Sequence, residues 1–327
     1  MKNKEEILKL LKEHFNNKHL KLPSDVDFSV KEKDICRITL NAEKIMKGNM
    51  QNDANAFEGW AVAIYAAMKK DCSECMIVLD VDKKFEYQSY EKNGHFCRFL
   101  YRVMRFKEQY TWFELSDDLN GEVEKFKSFL NDNQFTNNIP NAEAGVKENH
   151  NNENAIEVKL AEGEVLQYMD GCGIDFGTNP VFRQLPVGLY KSEVNTYNEI
   201  FTGKKSAIDL WSWNQDEFHV IELKTLNEMI GIVTEIFFYS NYMRDLLFPE
   251  GAFILNPKRG ENMKDRGYKN ILDNSFHKIN GIMLADRYHA LVNKETLDIL
   301  NNNQLDDIEY FMIEYEYGLS VYNLHSR

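Results

Sequence analysis

Twelve residues separate Asp209 from the tripeptide Glu222-Leu223-Lys224, within the stretch SAIDLWSWNQDEFHVIELKT. The stretch reads as two adjacent strands, SAIDLWSW and EFHVIELK, joined by a short hairpin-like connection. Ala207 and Ile208 lead into Asp209, and Val220 and Ile221 lead into Glu222. A strand buried on both faces normally stays apolar to its end, so charges at such tips need partners. A hard divalent cation is one candidate, because it takes carboxylate oxygens as ligands. Mg²⁺ or Mn²⁺ held by Asp209 and Glu222 would activate water and neutralise phosphate charge, so the chemistry that fits is phosphodiester hydrolysis. Lys224 shares a strand face with Glu222 through the two-residue period. It would orient the attacking water or stabilise developing negative charge.

An E-x-K tripeptide alone says little. The chain has another, Glu157-Val158-Lys159, with no apolar strand leading into it. Its expected state is a solvated ion pair. What distinguishes 209–224 is the combination of an acid on one apolar strand and Glu-x-Lys at the end of the next.

Asp209…Glu222-x-Lys224 resembles the signature of the PD-(D/E)xK nuclease superfamily, which has the restriction-endonuclease-like fold. That core runs helix, three antiparallel strands, helix, strand. Here the first strand is expected within 184–190, the second and third carry Asp209 and Glu222, an apolar helix follows over 227–247, and the fourth strand is 251–255 or 281–285. The resemblance covers residues 154–327. It implies a Mg²⁺- or Mn²⁺-dependent nuclease, endo- or exonucleolytic, acting on DNA rather than RNA. It also implies an acidic metal ligand on the first core helix. Glu164 in EGEVLQYM is the leading candidate, with Glu162, Glu193 and Glu199 as competitors. Some superfamily nucleases carry Gln-x-x-x-Tyr on the long helix. Glu235 and Tyr239 stand there in this chain, which marks Tyr239 as a candidate nucleic-acid contact.

The elements that must position these residues sit in a chain of 327 residues with net charge −13. That acidity argues against tight nonspecific binding of long duplexes, which depends on neutralising phosphates. Local basic groups remain candidates for nucleic-acid contact: Lys204 and Lys205 just before the Asp209 strand, and Lys258 and Arg259 in the loop NPKRG. Two alternatives stand beside hydrolysis. One is a module that binds nucleic acid or protein without cutting. The other is an ion-pair cluster of Asp209, Glu222 and Lys224 with a structural role only.

No apolar run is long enough to cross a bilayer, and the N-terminus reads as an amphipathic helix rather than a signal peptide, so a cytoplasmic protein is expected. Five cysteines, an odd number without a dense framework, are expected as free thiols. The fold class expected is α/β (α+β). Residues 1–132 read as a smaller mixed α/β domain, with helices over 4–15, 57–69, 95–106 and 123–130, a strand over 76–81 and alternation over 86–90. This domain would recognise a substrate, or meet a second copy or another protein. Residues 133–153 read as an Asn-rich linker. Residues 154–327 read as the nuclease-like domain, a central mixed sheet flanked by helices, with 281–285, 294–301 and 308–317 as its extensions.

Overall fold

The computed structural model describes residues 4–326 apart from 33, 73, 141–151, 163–172, 203–205, 227, 259–265 and 316–323. The protein is a mixed α/β chain that forms two compact units. Both are discontinuous. Unit 1 comprises 1–129, 228–235 and 288–305; unit 2 comprises 130–227, 236–287 and 306–327. This differs from the expected boundaries of 1–132 and 154–327, because two later segments return to the first unit. The helix at 294–301 is one of them, so it is not an extension of the second unit's sheet.

Unit 1 contains strands β1 (Val26–Glu32), β2 (Ile35–Leu40), β3 (Met76–Val81) and β4 (Phe113–Leu115) in that spatial order. β1 and β2 form an antiparallel hairpin, and β2/β3 and β3/β4 are parallel. Sequence reading missed the hairpin, although Val26, Phe28 and Val30, then Cys36, Ile38 and Leu40, alternate inward with period two. Its helices are α1 (Lys4–His14), α2 (Ala42–Lys47), α3 (Phe57–Lys69), α4 (Gly94–Gln109) and α5 (Asp117–Asn131). α3 is apolar almost all round and correspondingly buried. The one charge on its buried surface, Glu58, is met by Arg102 Nε at 2.7 Å and by Thr234 Oγ1 at 2.8 Å. The 86–90 segment is not a strand. Tyr87 and Tyr90 instead stack on each other, and both rings pack against Phe96.

Unit 2 holds two sheets. β5 (Phe135–Asn137), β7 (Leu189–Lys191) and β8 (Glu199–Phe201) make a small antiparallel one. β5 lies inside the stretch expected to be linker, and it is ordered because its backbone pairs with β7. The larger sheet has β6 (Phe182–Pro186), β9 (Ala207–Asn214), β10 (Glu217–Lys224), β11 (Lys278–Ala285), β12 (Ile308–Tyr315) and β13 (Leu324–Ser326). Its order is β13-β12-β11-β10-β9-β6. β6/β9, β9/β10 and β12/β13 are antiparallel, whereas β10/β11 and β11/β12 are parallel. Of the two fourth-strand candidates, the one at 281–285 forms the ladder; in 251–255 only Ile254 makes an isolated bridge.

The remaining helices are α6 (Asn152–Ala161), α7 (Gly231–Leu247), α8 (Tyr268–Asp273) and α9 (Lys294–Asn301). α6 packs Ile156 and Leu160 into a core with Leu210, Leu223, Ile282 and Leu284. α7 crosses between β10 and β11 and lies close over β11: a Cβ added at Gly281 would stand 2.5 Å from Ser240 Oγ. Among the described residues no helix is long and apolar enough to cross a membrane.

Candidate functional site

Four elements of unit 2 meet at one end of β9 and β10. Cα pairing between these strands stops at Ile221↔Leu210. Asp209 lies just beyond that point, and its Oδ2 accepts the Leu223 N–H at 3.1 Å, so the side chain fills the gap where the ladder ends. On β10, Lys224 Nζ donates to Glu222 Oε1 at 2.5 Å, and both side chains are buried. The strand end is anchored by Tyr315, whose hydroxyl donates to the Lys224 carbonyl at 3.2 Å.

The fourth element supplies an acid that sequence reading assigned to solvent. Glu157, on α6, is 4% exposed. Its Oε2 accepts from Arg183 Nη2 at 2.9 Å and Nε at 3.2 Å. Its Oε1 accepts from Gln184 Nε2 at 3.0 Å, and the same amide reaches Asp209 Oδ1 at 3.4 Å. Both contacts are to carboxylates, so only the amide nitrogen satisfies them. Gln184 adopts φ 57°, a left-handed conformation unusual for this residue type, where Cα pairing of β6 with β9 is interrupted between Arg183↔Leu210 and Leu185↔Ile208 without a change of register. That backbone turn hands the amide to Glu157 and Asp209 together. The signal in sequence was Ile156 and Leu160, an apolar i,i+4 pair that makes 152–161 a core-facing helix.

The electrostatics follow from this crowding. Burial pushes the Asp209 carboxyl up to about 7; nearby Lys224 opposes the rise, while Glu157 and Glu153 add to it. Arg266 Nη1 donates to the Gln184 carbonyl, and its guanidinium is pulled below its usual range by burial and by neighbouring Arg183. The site is thus an acidic cluster with two arginines on its β6 side.

The donor chemistry suits a hard cation. The groups are carboxylates, and Asp209 carries a charge penalty that a nearby divalent ion relieves. Among the described residues, however, no three acidic, His or Cys side chains stand together as a ligand set. Glu157 is turned to Arg183 and Gln184, and Glu222 to Lys224. A Mg²⁺ site needs only one or two protein carboxylates, the rest coming from water and phosphate.

The structure therefore groups Asp209, Glu222 and Lys224 and adds Glu157, Arg183 and Gln184. Tyr239 is not presented for nucleic-acid contact, because α7 is packed and the ring is 3% exposed. Lys258 is exposed, with its backbone N–H on Asn256 Oδ1. Glu164, Lys204, Lys205 and Arg259 lie outside the described residues. Of the competing acids, Glu162 and Glu193 are exposed, and Glu199 is on β8 in the small sheet. His219 is fully buried against Phe176 and Asn280, and burial pushes it down to about 4, which fits a neutral core histidine. The described cysteines, Cys36, Cys72, Cys75 and Cys97, are all free thiols.

Compared with known proteins, the chain matches no family, no curated protein and no solved structure.

Proposed function

We propose that the chain is a metal-dependent nuclease that hydrolyses phosphodiester bonds, with DNA rather than RNA as substrate, on a restriction-endonuclease-like unit. The observation that carries this reading is the convergence of Asp209, Glu157 and the Glu222–Lys224 pair where β9 and β10 part. With the small-sheet strands β7 and β8 and the short helix α8 set aside as insertions, the order α6-β6-β9-β10-α7-β11 supports it, since the PD-(D/E)xK core runs helix, three antiparallel strands, helix, strand. In this reading Glu157 takes the role of the acid on the first core helix, in place of Glu164.

Asp209 and Glu222 would hold Mg²⁺ or Mn²⁺, with water and phosphate completing the ligand set and Glu157, turned to Arg183 and Gln184, adding negative charge nearby. When bound, that ion supplies charge neutralisation and an activated water. Lys224 keeps its ammonium beside Glu222, where it orients the nucleophile or meets charge developing on the phosphate. Asp209, whose carboxyl burial raises to about 7, would hold the cation in its ionised form, so metal affinity should rise with pH. Arg183 and Gln184 hold Glu157 in place.

The test is cleavage of single- and double-stranded DNA and RNA with Mn²⁺, Mg²⁺ or chelator, comparing wild type with Asp209→Asn. Metal-dependent cutting that this variant loses supports the reading. Undiminished cutting by the variant rejects the site. A second reading is a binding module, favoured by the internal pairing of Glu222 with Lys224 and of Glu157 with Arg183. It is supported if nucleic acid binds equally well with chelator and is never cut.

A further inference from the structure

We propose that Arg183, with Arg266 beside it, seats a backbone phosphate of the nucleic-acid substrate, a neighbour of the phosphate that is cut. This rests on the reading of the acid cluster as a nucleic-acid site, and it names the groups that hold the strand there. Three features of unit 2 point to it.

The first is the half of the Arg183 fork that Glu157 does not use. Arg183 lies on β6, and its Nε and Nη2 both donate to Glu157 Oε2. That pairing occupies one side of the guanidinium and fixes its plane. Nη1 has no partner among the described residues, and it is not one of the buried atoms left without one. The side chain is 10% exposed, so the end of the fork, Nη1 with the second hydrogen of Nη2, lies toward solvent. Two parallel N–H groups of this kind match two oxygens of a phosphate.

The second is the company Arg183 keeps. Arg266 Nη1 donates to the carbonyl of Gln184, the residue next to Arg183. Burial, and after it the charge of Arg183, pulls the Arg266 guanidinium below its usual range. Two cations in each other's field repel, and an anion between them relieves the repulsion.

The third is the backbone that holds the pair. Gln184 at φ 57° and Arg266 at φ 51° are both left-handed residues other than glycine, and the hydrogen bond to the Gln184 carbonyl joins them. Such conformations carry a cost and cluster at ligand clamps. The Arg266 carbonyl accepts from Trp211 Nε1 at 3.2 Å. Gly267 follows at φ 82°, where a Cβ would run into the Phe182 ring. The two arginines are therefore set before any strand arrives, which lowers the cost of binding. Glu157 and Gln184 stand between Arg183 and Asp209, so the phosphate on Arg183 is a neighbour of the one at Asp209 and Glu222.

The experiment reads the affinity of the full chain for labelled single- and double-stranded DNA by anisotropy in chelator over a salt series, and as KM for cutting with Mn²⁺. Arg183→Lys keeps an ammonium for Glu157 but loses the fork. It should weaken binding about tenfold and flatten the salt dependence by about one phosphate contact, with KM raised and kcat little changed. Arg266→Met should act in the same direction, and it carries the test if melting shows that Arg183→Lys does not fold. Weakened binding and a flatter salt slope without any cutting by wild type would keep the phosphate seat and reject the nuclease. Metal-dependent cutting with wild-type affinity, slope and KM in both variants would overturn the seat and keep the nuclease. A fall in kcat alone would also overturn it, since Arg183 would then only hold Glu157. Wild type that neither binds nor cuts DNA would overturn both.

Discussion

Replacing Asp209 with Asn should stabilise the protein, and by an amount that depends on pH. Burial beside Glu157 and Glu153 moves this carboxyl from 3.8 to about 7. A shift of about three pH units corresponds to about 4 kcal/mol between the two protonation states. Below about pH 4 the carboxyl is protonated in the folded and the unfolded chain, and there is no penalty. As pH rises toward about 7, the unfolded chain releases the proton while the folded chain retains it, so stability falls; above the folded pKa the loss is complete and constant. Asparagine keeps an oxygen for the Leu223 N–H but cannot ionise. Its amide N–H₂ would face Gln184 across a contact that is already long at 3.4 Å, so little is lost there. The variant should therefore melt close to wild type at pH 4 and on the order of 10 °C higher at pH 8, taking a few degrees per kcal/mol for a unit of this size. The assay is thermal unfolding of both proteins across that range in chelator, then again with Mn²⁺. Mn²⁺ should raise wild type alone and narrow the gap. A melting-temperature difference that stays flat with pH would refute the argument, because the penalty would then not come from ionising Asp209.

Three further outcomes are expected. Lys224→Met leaves Glu222 buried without its ammonium and should cost about 3–5 kcal/mol, while Glu222→Gln with Lys224→Met should recover most of that in urea unfolding; equal losses would show the pair is not what matters. Arg102→Met should cost a similar amount, about 3–5 kcal/mol by calorimetry, because Glu58 is fully buried and its carboxyl is already pushed up by that burial. Gly281→Ala should cost about 1–3 kcal/mol by denaturant midpoint, since the new Cβ would meet Ser240 Oγ at 2.5 Å and Tyr310 Cδ1 at 2.9 Å, whereas Gly121→Ala meets nothing and should not.

Much of the site was legible because a charge at the end of an apolar strand contradicts its own pattern. Asp209, Glu222 and Lys224 stand out in that way, and the hairpin between them is a local feature. Glu157 could not be picked out similarly. Charges are ordinary on a helix, and Glu157-Val158-Lys159 differs from a solvated surface only in what lies across from it. Arg183 and Gln184 were unreadable for a related reason: their roles depend on one left-handed residue, Gln184, at which the β6–β9 pairing is interrupted. The alternation over 86–90 is not a strand but part of an aromatic cluster, in which Tyr87 and Tyr90 pack on each other and on Phe96.

The sequence by itself determined the mixed α/β class, the long helices of unit 1, the β9–β10 hairpin and three of the grouped charges, since all of these are written in spacings of a few residues. The tertiary structure alone decided that 228–235 and 288–305 join unit 1, that β5 is sheet rather than linker, and that Glu157 faces Asp209. Periodicity says which side of an element is buried. Which charges then share one water-poor space is set by pairing between residues far apart in the chain, and that sharing is what brings the Asp209 carboxyl near neutrality.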